Sequence, residues 1–286
     1  MKAKRMTETD IDNIITESFL FKRFKLIALN MVKWNNLDLL NTEERFVEGD
    51  LFDTGISIVF EDKELGLMCL RGSGIGANVR GEPTHYRVYG FGYTKEIPAS
   101  ECVVIENNKL RMPTCEIIDF FVKQLYELVR TRDTNIRTLK LPFIVGTTSD
   151  RVLTAKKIIE EVDNNNPHIV VDTKGVNVDD CVKVLQTGVK PFTAELTDQY
   201  HDILNEALTY LGINNANTDK KERLITDEAN ANNQFIDSCA QMFLESRQRA
   251  CEKIRDMFGV DISVELRNKT EEVQYEAEYV QEPATE

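Results

Sequence analysis

The residues most able to do chemistry here fall into a few clusters. Gly72-Ser-Gly-Ile-Gly76 offers closely spaced backbone N–H groups of the kind that cradle phosphate. It lacks the Lys-Ser/Thr of a nucleotide-binding loop and the full dinucleotide-binding spacing, and it lies between strand-like runs instead of opening a helix, so a hairpin loop is expected. The paired acids Asp179-Asp180 and Glu160-Glu161 sit in solvated helix or turn settings, where surface charge is the commoner role. His85, His168 and His201 are too far apart in the chain to assemble a metal-ligand spacing, and Cys69, Cys102, Cys115, Cys181, Cys239 and Cys251 form no CxxC pair. The thiols are expected reduced and mostly buried, with no catalytic residue, metal or cofactor. Lys220-Lys221-Glu222-Arg223 is a basic cluster on a long polar stretch, and phosphate contact needs only such point charges. Just before it, Glu195, Asp198, Asp202 and Glu206 recur at helical spacing, with no Lys or Arg between Pro191 and Asp219. This is either a solvated helix face or an acidic wall past which a polyanion slides.

These clusters need a scaffold, and 286 residues with 42% apolar and 29% charged composition suit about two domains with a real buried core. The net charge of −13 disfavours a conventional nucleic-acid clamp. No apolar run reaches the roughly 20 residues needed to span a bilayer, and the basic start lacks a signal-peptide core, so a cytoplasmic chain with no membrane segment is expected.

Apolar periodicity predicts a first helix over 7–35, with Leu20, Phe24, Ile27, Met31 and Trp34 as its stripe. Phe19, Phe21, Leu26 and Leu29 add apolar surface outside that stripe, more than one packing face needs, so the helix should touch neighbours on two sides. Between 55 and 106 the period shortens to strands at 55–60, 65–70, 86–93 and 101–106, a small antiparallel sheet or barrel. A helix opens at Pro113-Thr114 and should end at Arg130-Thr-Arg-Asp133. A small α/β unit follows, with a strand at 139–145, a helix at 152–162 and a strand at 169–172. Thr193 should cap a helix whose stripe is Leu196, Tyr200, Ile203, Ala207 and Leu211, closed by Gly212. The polar stretch 213–231 is too long for a routine connection. Asn233 should introduce the next helix, carrying Phe235, Cys239, Met242, Phe243, Ala250 and Ile254 and closed by Gly259, before a strand over 260–266. The last residues, 271–286, hold six glutamates and no basic residue, as expected of a disordered acidic tail.

Within this order, Tyr210-Leu-Gly-Ile-Asn-Asn-Ala-Asn217, Lys220-Lys-Glu-Arg-Leu-Ile-Thr-Asp-Glu228, Phe243-Leu-Glu-Ser-Arg247 and Ala250-Cys-Glu-Lys-Ile254 closely resemble the upper collar protein of small short-tailed bacteriophages with protein-primed linear genomes, the Salasmaviridae type. Weaker similarity runs through Cys102-Val-Val-Ile-Glu-Asn-Asn108 and Met112-Pro-Thr114 back to Trp34. That family is the portal, or head–tail connector. The resemblance implies an α+β subunit with a helical channel-forming stem, a small SH3-like β wing at the wide end and a small α/β narrow-end subdomain, assembled as a ring. The implied segments are an N-terminal arm and first stem helix (1–38), the β-rich wide end (43–112), a second stem helix (113–134), the narrow end (135–190), a third stem helix (191–212), a channel loop (213–231), a wide-end helix and strand (232–267) and the tail (268–286).

It further implies a homododecamer in the virion, at the portal vertex, assembled in the bacterial host cytoplasm. Its partners would be double-stranded DNA bound without sequence preference, a packaging motor with an ATPase and RNA, the major capsid and scaffolding proteins, and a lower collar or tail protein. Lys220, Lys221 and Arg223 match the family's DNA-facing channel loop. Gln186 and Glu195 fall where the family has further channel lysines, with Lys190 as a substitute, and Asp198 and Asp202 continue the channel-lining helix. Lys2, Lys4 and Arg5 are what this chain keeps of the basic arm that contacts motor RNA or capsid. The competing readings are a monomeric DNA-binding accessory protein and a soluble α+β enzyme using the glycine-rich loop.

Overall fold

A computed structural model describes residues 8–140, 143–146, 183–186, 191–214 and 226–267. The fold is α+β, and the chain divides into two compact units. The first holds 1–13 and 123–204, and the second holds 14–122 and 205–286.

Among the described residues, most buried apolar side chains lie in the second unit. Helix α1, Glu8–Leu29, buries Leu20, Phe24 and Ala28, which follow one another at four-residue steps along one edge. It ends six residues earlier than the periodicity predicts. Met31 and Trp34 keep step with the stripe, but 32–35 is strand β1, Val32–Asn35, paired antiparallel with a distant strand, Ser263–Leu266. Long-range pairing overrides the local period here, because a strand also places Val32 and Trp34 on one buried face.

A 3₁₀ turn, Leu37–Leu40, and helix α2, Glu44–Thr54, come next. Neither is foreseen from the sequence, although Val47 and Leu51, buried four residues apart, carry the helical signal. Strands β2 (Ile56–Asp62), β3 (Gly66–Leu70) and β7 (Cys102–Glu106) form one antiparallel sheet in the order β3–β2–β7. Strands β4 (Gly72–Ile75), β5 (His85–Gly90) and β6 (Tyr93–Pro98) form a second, in the order β4–β5–β6. The expected single strand over 86–93 is therefore a hairpin, with its turn at Phe91-Gly92. Ile58 and Phe60 share a buried cluster with Tyr86, Val88 and Ile97, which ties the two sheets together.

The glycine cluster is an edge strand and not a loop. Gly72 pairs with Val88 and Gly74 with Tyr86. A Cβ at Gly72 would stand 2.4 Å from Ile58 Cδ1 and 2.8 Å from the Arg87 carbonyl oxygen, so the glycine permits close approach of backbones. Gly72→Ala is expected to cost about 1–3 kcal/mol by overpacking. The loss should appear as a lower urea midpoint with an unchanged slope, and calorimetry with Mg-ATP should show no binding at this cluster. An unshifted midpoint would contradict the packing role.

Helix α3, Thr114–Lys140, buries Ile118, Phe121, Val122 and Leu125 and runs past the charged 130–133 stretch where its end is expected. Strands β8 (Phe143–Gly146) and β9 (Lys183–Gln186) pair antiparallel in the first unit. The expected helix over 152–162 and strand over 169–172 lie outside the described residues. Helix α4, Thr193–Tyr210, begins with the backbone N–H of Phe192 donating to Asn135 Oδ1. It closes through Gly212 N–H to Thr209 O and Ile213 N–H to Leu208 O, the paired bonds of a glycine-terminated helix. Helix α5, Thr226–Phe258, starts seven residues before Asn233, so the end of the expected 213–231 loop is helical backbone. Strand β10, Ser263–Leu266, is shorter than the predicted 260–266 run.

Candidate channel face and a buried polar core

Glu195, Asp198, Asp202 and Glu206 are all exposed on α4. Their spacings of three and four put them on one side of the helix, next to one another. Like charges at these spacings weaken an isolated helix by a few tenths of a kcal/mol per pair. The face is acidic despite that local penalty; Glu195 alone gains from the helix dipole, since it sits in the first turn. Gln186 does not join this face on a helix: it ends strand β9, opposite Phe143. Lys220, Lys221 and Arg223 lie outside the described residues, as do Lys190, Lys2, Lys4 and Arg5.

What the described residues do place is the neck from which 215–225 departs. Asn214 Nδ2 donates to Asn233 Oδ1 at 3.2 Å, fastening the end of α4 to α5. Tyr210 meets Phe243 edge to face, with ring centroids 5.7 Å apart. Gly212 lies so close to α5 that a Cβ there would stand 2.5 Å from Ala240 backbone atoms.

Below this neck, α5 carries the charged residue that sequence reasoning left without a role. Arg247 belongs to the motif Phe243-Leu-Glu-Ser-Arg247, yet its side chain is only 5% exposed and that of its partner Glu48 only 3%. The pair is bidentate: Nε donates to Glu48 Oε1 at 2.8 Å and Nη2 to Oε2 at 2.7 Å. Arg247 Nη1 also donates to the carbonyls of Phe243 and Asn107, and Trp34 Nε1 donates to Glu48 Oε1 at 2.8 Å. Asn107 in turn donates to Met112 O and Thr114 Oγ1. One buried network therefore fixes β1, α2, α5 and the turn that opens α3. The signal was present in the sequence as an Arg at a helical step from Phe243, Ala250 and Ile254.

A second cluster anchors α1. Lys25 Nζ reaches both oxygens of Asp53 at 2.7 and 2.8 Å, and Arg71 bonds Asp50 at 2.9 Å. Burial pushes the Asp50 carboxyl up, while its hydrogen bond and attraction to Arg71 oppose that. A third cluster covers the outer edge of β1, where Glu44 accepts from the Trp34 N–H at 3.0 Å and Arg267 donates to the Val32 carbonyl at 3.1 Å and bonds Glu44. An open strand edge is thereby closed by side chains.

Cys69, Cys102, Cys239 and Cys251 are buried free thiols and Cys115 is half-buried. Burial raises the Cys69 thiol to about 12, which makes it a poor nucleophile. Cys181 lies outside the described residues. Among the described residues, no cluster of His, Cys, Asp or Glu could hold a metal ion, and no helix is long and apolar enough to cross a membrane.

A portal protein of Staphylococcus phage 44AHJD is 25% identical over 162 residues, which span 56% of this chain and 64% of that relative. Two solved structures are similar over nearly the whole chain. One is the portal and tail of native bacteriophage P68, at 17% identity over 99% of this chain and 100% of that one, with a TM-score of 0.48. The other is an HK97 family phage portal protein from Corynebacterium diphtheriae, at 11% identity over 98% and 99%, with a TM-score of 0.49. Assignment rests instead on the family profile described as Phage Connector (GP10), which matches residues 8–271 and so takes in the α4 face, the neck and the Arg247 network. The chain belongs to the phage connector family.

Proposed function

We propose that this chain is a bacteriophage portal protein, of the short-tailed, protein-primed type, whose copies form a dodecameric ring at one capsid vertex. The family match over 8–271 carries this reading. Double-stranded DNA passes through the ring during packaging, is retained there and leaves through it on ejection, while motor and tail dock outside. The β4–β6 and β2–β3–β7 sheets serve as an SH3-like wing at the wide end, and the β8–β9 region as the narrow end. No step requires hydrolysis by this chain.

The exposed acids of α4 suit such a channel. Each phosphate neutralised by a fixed cation adds salt-dependent grip that translocation must break, so a wall of Glu195, Asp198, Asp202 and Glu206 lets DNA pass. Contact is left to Lys220, Lys221 and Arg223 on the connection beyond the neck, and Lys2, Lys4 and Arg5 are assigned to motor or capsid. Electron microscopy of the purified chain tests the reading: rings with a central hole are expected. Monomers at micromolar concentration would overturn it in favour of a monomeric accessory protein.

Lys220→Ala combined with Lys221→Ala is expected to leave rings intact and to reduce retention of packaged DNA severalfold in a nuclease challenge, most visibly at low salt, where phosphate contacts are strongest. Wild-type retention at every salt concentration would remove these lysines from the DNA path.

A further inference from the structure

The second unit exposes an apolar edge of α1 that meets, at Leu26, a groove lined by α1 and α5. Phe19 is 64% exposed and Leu26 65% exposed, and with exposed Ile15 they lie on the side of α1 away from Leu20, Phe24 and Ala28. Phe21 packs on Phe52 and Lys25 on Asp53, so the helix is already anchored to α2 by its other side. The Leu20 and Phe24 side of the stripe is thus consumed inside the subunit. Exposed Lys22 and Arg23 flank the outer edge.

The groove has a volume of about 560 Å³, room for several side chains, and is lined by Leu26 and Ile27 from α1, by Met31 just beyond its end, and by Ile236 and Asp237 from α5. Among the described residues, Asp237 is the one charged residue lining it. The chain's own end continues from Leu266 at the groove's margin, but it carries six glutamates between 271 and 286 and would bring negative charge to Asp237. The outer edge of α1 on a second copy brings the opposite: Phe19 for the apolar lining, with Lys22 and Arg23 beside it for the carboxylate.

We propose that Phe19 of one copy seats in the α1/α5 groove of the next, with Lys22 and Arg23 facing Asp237; this rests on the ring reading above. Phe19 lies seven residues, about 10 Å along the helix, from the Leu26 that lines the groove. Each copy offers an insert at one place and a socket at another, so the same contact can repeat from copy to copy around a ring.

The test uses the full chain and measures the concentration at which half of it is assembled. Phe19→Glu is expected to raise that concentration at least tenfold. Asp237→Lys and the pair Lys22→Glu with Arg23→Glu should each do the same, because like charges then meet across the contact. Combining Asp237→Lys with Lys22→Glu and Arg23→Glu should restore assembly to within about threefold of wild type. All substituted positions are exposed, so far-UV circular dichroism should be unchanged. In a second measurement, Phe19→Cys and Asp237→Cys chains are mixed with a short bismaleimide, and a covalent heterodimer should form in the mixture and not in either sample alone.

If wild type forms rings and all these variants assemble at wild-type concentration, the contact is overturned while the ring reading stands. If wild type never assembles, both fall. If Asp237→Cys instead cross-links within one chain to a Tyr275→Cys partner, the groove belongs to the C-terminal segment and the proposal is wrong.

Discussion

Glu48→Ala is expected to lower the unfolding free energy by about 3–5 kcal/mol, because it leaves the Arg247 guanidinium buried without its counter-ion. Against a typical stability of about 5–15 kcal/mol this is a large fraction, and the melting temperature should fall by roughly 10 °C. Trp34 Nε1 loses its acceptor in the same substitution, which adds an unsatisfied buried donor. Glu48→Gln keeps an oxygen for Trp34 or Arg247 and should lose less. Replacing both partners, Glu48→Met with Arg247→Met, should recover part of the loss, since a buried ion pair is often matched by apolar residues of similar volume. Urea titration of the three variants orders them. A Glu48→Ala chain within about 0.5 kcal/mol of wild type would mean that the network is not closed as described.

The same network marks the boundary of what the sequence reveals. Arg247 sits at a helical step from Phe243 and Ala250, so its placement on the buried side of α5 could be read from periodicity. Its partner, 199 residues away in the chain, could not be, because no local pattern reports which distant carboxylate will be buried with it. Trp34 teaches a similar lesson. It keeps the spacing of a helical stripe, yet its pairing with Val264 makes it a strand residue. The glycines of β4 have no side chains from which to read a period, and their strand state follows from the approach of Ile58 and Arg87. By contrast, the Gly212 and Gly259 stops, the buried cysteines at 69, 102, 239 and 251 and the acidic side of α4 follow from residue type and spacing alone. The loop cations at 220, 221 and 223 remain assigned by resemblance.

Those two stops also permit a clean measurement of how tightly the neck is built. Gly212 and Gly259 both occupy the left-handed region, at φ 72° and 71°, and each follows a helix end. They differ in their surroundings. A Cβ at Gly259 would meet nothing within 4 Å, whereas at Gly212 it would stand 2.5 Å from the backbone of Ala240. Gly259→Ala should therefore cost only the conformational strain, about 1–2 kcal/mol. Gly212→Ala should cost that plus an overpacking penalty, on the order of 3 kcal/mol in total, and backbone atoms cannot turn aside as a flexible side chain could. The extra loss falls on the contact between the end of α4 and α5, so it should loosen the Asn214–Asn233 clasp and the segment that leaves it. Urea midpoints of the two variants measure the difference, and limited proteolysis between 212 and 233 should accelerate in Gly212→Ala and stay at the wild-type rate in Gly259→Ala. Under the portal function proposed above, retention of packaged DNA should also fall in Gly212→Ala with Lys220 and Lys221 intact. Equal midpoints for the two variants would show that the helices relax apart at no cost.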